Sequence, residues 1–124
     1  MSVEITSAGS DLVLLKLKRD DLYLLLSYLS HAKFGSDIKS YVLLSPLINE
    51  LIEAILAYSD EVGLSETNSA VWRRSISLEE AADPACFVRS IQDVLERDLG
   101  EREAKEALAQ ALFPNQLETN ASLP

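Results

Sequence analysis

Ser45-Pro46-Leu47-Ile48-Asn49-Glu50-Leu51-Ile52-Glu53-Ala54-Ile55-Leu56-Ala57-Tyr58-Ser59-Asp60-Glu61-Val62-Gly63 carries a helix together with its own start and stop signals. Ser45 can cap the first turn. Pro46 at the first helical position gives up no hydrogen bond that a helix would have made. Leu47, Ile48, Leu51, Ile52, Ile55 and Leu56 then recur at helical spacing, and the pattern ends near Val62-Gly63. A helix this long and one-sided needs other elements to cover its apolar stripe, so the fold is helix-rich.

Upstream, Leu22 to Phe34 follows Asp20 and Asp21 as candidate caps and is stopped by Gly35, which is placed where a left-handed glycine belongs. Leu22, Leu24, Leu25, Leu26 and Leu29 spread around the helix circumference, which predicts a buried, central helix. Ser36 to Leu44 fits either a helix start at Asp37 or a strand over Tyr41–Leu44. Before these, Val3-Glu4-Ile5-Thr6 alternates as a short strand, residues 7–11 supply turn chemistry, and Leu12 to Lys18 suits a second strand.

Downstream, Val71 to Ser77 is a candidate third strand with Trp72, Arg74 and Ile76 on one side. Ser77 with Glu80 fits a capping box, and Asp83-Pro84 fits a further helix start. Phe87, Val88, Ile91, Val94, Leu95 and Leu99 share one face of the following helix, which Gly100 ends. A last helix from Glu101 to Phe113 has a stripe of Ala104, Ala107, Leu108, Ala111 and Leu112, stopped by Pro114. The architecture predicted is α+β: an N-terminal β-hairpin, with the candidate third strand near Trp72, packed against about four helices. An all-α fold is the alternative. Residues 1–114 read as one globular domain and 115–124 as a loose polar tail.

The chain has 124 residues, enough for one domain with a real core. Its net charge of -9 is uneven. Residues 1–48 balance five acids with five bases, whereas residues 49–106 carry fourteen acids and six bases. Phosphate contacts need Lys and Arg, so direct nucleic-acid binding is not expected. No apolar run reaches the roughly 18 residues of a membrane span. Met1-Ser2-Val3-Glu4 does not resemble a signal peptide, and Cys86 is the sole cysteine, which leaves no intramolecular disulfide. The expectation is a cytoplasmic protein without a membrane partner.

Candidate chemistry is sparse. His31 is the only histidine and falls in the last turn of a helix, where a partly positive imidazole suits the dipole. Cys86 lies near a helix start, but Glu79, Glu80 and Asp83 oppose a thiolate, so core packing is expected. Glu50 and Glu53 could share a proton or a cation, yet their face looks polar and solvated. There is no phosphate loop, calcium loop, nucleophile elbow or zinc-protease motif. No catalytic, cofactor-binding or metal-ligating residue is therefore assigned.

The acids sort by cause. Glu79, Glu80 and Asp83 suit a helix N-terminus, and Asp93 with Arg97, Glu101 with Lys105 and Arg102 with Glu106 are four-apart pairs. What remains is Glu50, Glu53, Asp60, Glu61 and Glu66, within a stretch from Ser40 to Trp72 that has no Lys or Arg. This acidic face is the candidate partner-binding surface, unless Arg73 and Arg74 neutralise it internally. The leading expectation is a non-enzymatic protein that binds and neutralises a basic protein partner, as an immunity protein covers the basic cleft of a nuclease-type toxin. A helical homo-oligomer or adaptor, joined as a homodimer through the alanine stripe or the leucines near Tyr41, is the alternative. A small-molecule enzyme using the helix carboxylates comes third.

Overall fold

The computed structural model describes residues 3–83 and 86–118, with the backbone alone at Leu78 and Ala82. It has the expected α+β, helix-rich architecture, ordered β1 (Glu4–Ser7), β2 (Val13–Lys16), α1 (Asp21–Phe34), α2 (Ser40–Leu43), α3 (Pro46–Val62), α4 (Ser69–Trp72), β3 (Ser75–Ile76), α5 (Leu78–Ala82), α6 (Phe87–Leu99), α7 (Glu101–Leu112) and β4 (Gln116–Leu117). Four of the helices, α1, α3, α6 and α7, are 12 residues or longer.

The long helix α3 forms as its sequence dictates. The Ser45 hydroxyl accepts from the Ile48 N–H at 3.3 Å, Pro46 takes the first position, and Gly63 closes the helix at φ +77, a conformation that glycine reaches without a Cβ penalty. Ser36–Leu44 resolves to the single helical turn α2, whose Leu43 is buried. The Ser77 hydroxyl accepts from the Glu80 N–H at 3.1 Å and starts α5. The helix start expected at Asp83-Pro84 falls partly outside the described residues; α6 begins at Phe87, after Cys86.

Two apolar clusters make the core. One gathers Leu43, Ile76, Val88, Ile91, Leu95, Ala104, Ala111 and Leu112 around the α6–α7 hairpin. The other joins Leu26 of α1 to Ile52, Ile55 and Leu56 of α3, with Trp72 and Phe113 against it. The alanine stripe of α7 is thus spent on the first cluster: Ala104 and Ala111 are buried where α6 crosses closely.

Four sequence expectations change. Helix α1 is not central: Leu26 and Lys33 are its buried residues, while Tyr23, Leu24 and Tyr28 are exposed, because α3 covers only one side of it. Gly35 is not left-handed (φ -73); a Cβ there would sit 2.5 Å from the His31 carbonyl oxygen, so glycine is needed for space. Asp20 makes no side-chain cap bond. The third strand is shorter than expected and does not join the hairpin. Asn68 caps α4 through the Val71 N–H, which draws Val71 and Trp72 into a helical turn. That leaves Ser75 and Ile76 to pair in parallel with Gln116 and Leu117.

This last pairing takes Gln116–Leu117 out of the segment expected to be loose, and the N–H groups of Asn115 and Glu118 on either side donate to the Leu112 and Ile76 carbonyls; residues 119–124 lie outside those described. The hairpin itself forms in the register Glu4↔Lys16 to Ser7↔Val13, but all eight strand residues are exposed, so it is attached to the helices rather than buried in them.

Candidate functional site

Helical geometry places Glu50, Glu53, Asp60 and Glu61 within an arc of about 100° on one flank of α3, and Glu66 follows in the loop after Gly63. All five are exposed. The structure therefore brings the predicted acids to one side, but it divides them by what they touch.

Glu53 is engaged internally by an ion pair with the guanidinium of Arg73. Arg73 also donates from Nε to the Ser69 hydroxyl at 3.0 Å, and its guanidinium lies over the Phe113 ring, 5.4 Å from the centroid. Asp60 likewise has a structural task. One carboxylate oxygen accepts the Ser69 N–H at 2.7 Å and the other accepts the Ser69 hydroxyl at 2.5 Å. These bonds hold its carboxyl below the ordinary 3.8, with Arg73 adding a smaller pull in the same direction. A negative charge at the unfavourable end of α3 is thus explained by the start of α4, whose backbone it holds.

The same loop is clipped twice more. Ser59 and Thr67 share a buried hydrogen bond of 2.6 Å, and the Trp72 indole N–H donates to the Glu66 carbonyl at 2.7 Å. Arg74 turns away to Glu80. Glu50, Glu61 and Glu66 enter no ion pair among the described residues, and they form the free part of the acidic flank.

Beside Glu50 and Glu53 an open groove of about 470 Å³ runs between α3 and the end of α7, lined by Pro46, Asn49, Gln110 and Phe113. Behind it lies the residue the sequence did not disclose. Lys33 is fully buried, and its ammonium donates to Asn49 Oδ1 at 2.7 Å, the Phe113 carbonyl at 2.6 Å and the Gln110 carbonyl at 3.4 Å. Two of these acceptors are carbonyls at the C-terminal end of α7, where the dipole favours a cation. The Phe34 and Phe113 rings lie 5.2 and 5.9 Å away. Three donors meet three acceptors, and no carboxylate pairs with Lys33 among the described residues. Burial pushes its pKa down to about 8. The signal was ambiguous: a lysine in a last helical turn is ordinarily a solvated partner of the dipole.

The remaining candidates take structural places. His31 is exposed at the end of α1 and Cys86 is half-buried against the first cluster. Asp93 pairs with Arg89 rather than Arg97, which turns to Asp98. Among the described residues no group of three or more His, Cys, Asp or Glu could hold a metal, and no helix is long and apolar enough to cross a membrane.

Comparison with known proteins returns no match, whether to a family model, a curated protein or a solved structure. Any functional conclusion therefore rests on the surface itself.

Proposed function

We propose that this protein acts by binding, and that the free acidic flank of α3 covers a basic surface on another protein. The observation that carries this reading is the separation of the acids into used and unused. Arg73 and Arg74 are consumed by Glu53 and Glu80, leaving Glu50, Glu61 and Glu66 exposed and without an ion pair among the described residues. The flank is held on a 17-residue helix and on a loop fixed by Asp60, Ser59 and Trp72. A charged surface on a rigid support steers an oppositely charged partner and fixes its register. A toxin of the nucleic-acid-cleaving type presents such a basic cleft, and neutralising it is the specific role we assign. The alternatives draw less support. The alanine stripe is already packed, and the groove beside Glu50 is open, with Glu53 committed to Arg73.

The test uses the purified chain and the basic protein encoded next to it in its own genome. Calorimetry at roughly 50 mM and 500 mM salt should show an affinity that falls steeply with ionic strength. The double variant Glu50→Lys/Glu61→Lys should weaken it at least about tenfold. An affinity indifferent to both salt and charge reversal, or a neighbouring frame that encodes no basic protein, refutes the proposal.

A further inference from the structure

The hairpin shows an amphipathic pattern without a cover. Opposed residues in an antiparallel pair project to the same side, so the register places Ile5 with Leu15 and Ser7 with Val13 on one face, extended by Val3 and Leu17. The other face carries Glu4 with Lys16 and Thr6 with Leu14. The apolar face should be the buried one, yet Ile5 is 67% exposed and Val13 65%. It runs on into α1 through a hollow of about 260 Å³ that links Val3 and Leu15 to Leu24 and Tyr28. A second apolar hollow, of about 680 Å³, lies on its α3 side and is walled by Leu15, Leu17, Leu51 and Tyr58. Helix α1, apolar around most of its circumference, thus leaves its uncovered side against an uncovered sheet face.

We propose that a second copy of this chain covers this surface, the apolar hairpin faces and the adjoining sides of α1 packing together in a twofold homodimer. Three observations select that occupant. From their fractional exposures, Val3, Ile5, Val13, Leu15, Leu24 and Tyr28 present on the order of 600 Å²; with a rim this approaches the roughly 800 Å² per partner of a stable interface, and it lies at the top of the range that a monomer leaves bare. The charge permits self-association here: residues 3–21 carry Glu4, Asp11, Asp20 and Asp21 against Lys16, Lys18 and Arg19, close to neutral in a chain of net -9. Across residues 49–106, with fourteen acids and six bases, two copies would meet acid against acid. Finally, a two-stranded hairpin with both edges open is marginal in water, and packing against its own image supplies the missing layer. The inference is independent of the acidic flank, which lies on a different side of α3.

The test is the molar mass of the full chain by sedimentation across about 1–200 μM, with helical content followed by circular dichroism. The expected result is a dimer of twice 13.7 kDa, which Ile5→Lys or Val13→Lys weakens at least about 100-fold while the helical signal is retained. Leu14→Lys, also exposed but on the opposite face, should leave the dimer intact, as should Glu50→Lys/Glu61→Lys. A wild-type chain that stays monomeric at the highest concentration overturns the proposal, as does a monomer that binds lipid vesicles through this face. So does a dimer that Leu14→Lys dissociates as readily as Ile5→Lys.

Discussion

Lys33 gives the structure a pH response that can be worked out in advance. Its ammonium is buried against Asn49 and the last carbonyls of α7, with a pKa of about 8 in the folded chain against the ordinary 10.5. The shift is downward for a basic group, so the unfolded chain holds this proton more tightly than the folded one. Stability must therefore rise with pH, starting near 8 and levelling off near 10.5. Integrating between about pH 8 and pH 10 gives a gain of about 2 kcal/mol from this one group. Urea denaturation at half-unit steps over that interval measures it, with the variant Lys33→Met as reference. Methionine keeps the hydrocarbon stem and has nothing to titrate. The other lysines and the tyrosines titrate in both proteins and cancel in the difference. The wild-type minus Lys33→Met stability should climb by about 2 kcal/mol, at unchanged m-value. A difference that is flat or falls with pH would refute the argument, since it would mean that the three acceptors fully repay the desolvation.

Other consequences can be checked in the same unfolding assay. Leu95→Ala and Ile52→Ala, one in each apolar cluster and both fully buried, should cost about 2–5 kcal/mol each; a cost under about 1 kcal/mol at either site would place that side chain outside the core. Gly35→Ala should cost roughly 1–3 kcal/mol, because its Cβ meets the His31 carbonyl oxygen, and a neutral result would mean the α1 terminus yields freely. A double-mutant cycle on Glu53→Ala and Arg73→Ala should return a coupling of about 0.2–1 kcal/mol, small because the glutamate is half exposed. Asp60 is held below its ordinary pKa by Ser69, so its contribution is complete above the ordinary carboxylate value of 3.8 and is lost as pH falls through the lower folded value. Asp60→Ala should accordingly flatten the acid limb of the stability curve, and an unchanged limb would remove Ser69 as the cause.

What could be read from residues alone follows from how local each signal was. Ser45-Pro46, the stripe from Leu47 to Leu56 and Gly63 are all short-range, and α3 matches them at both ends. The hairpin, two short strands about a turn, was equally local. Leu22–Phe34 was recognisable as a helix, but its burial depends on what packs around it, and an all-round apolar pattern says only that cover is needed. Trp72 moved from strand to helical turn because Asn68 and Asp60, two polar residues upstream, hold the backbone of α4. The acidic flank was visible as an absence of nearby bases. Its internal pairing by Arg73 stood as an open alternative that residues alone could not decide, since Glu53 and Arg73 are 20 residues apart and meet only once α3 and α4 have packed. Lys33 lies further still from that horizon: its carbonyl partners are 77 and 80 residues downstream.

The two surfaces bear on one another through α3. Helical geometry puts Leu51, Ile55 and Tyr58, which face the hairpin side, roughly 130° around the helix from the centre of the acidic flank. Association through the hairpin therefore leaves the acids of both copies exposed, and it adds little repulsion because the contacting segments are nearly neutral. A dimer would then display two identical acidic flanks on one particle. A partner that is itself dimeric, or that has two basic sites, would be held by both, and its apparent affinity would exceed that of one flank without a new contact. Ile5→Lys separates these contributions. It should leave the intrinsic affinity of each flank unchanged in a one-to-one titration and abolish only the gain from bivalency. If it weakened one-to-one binding as well, the hairpin would be part of the partner's footprint, and the independence of the two surfaces would be wrong.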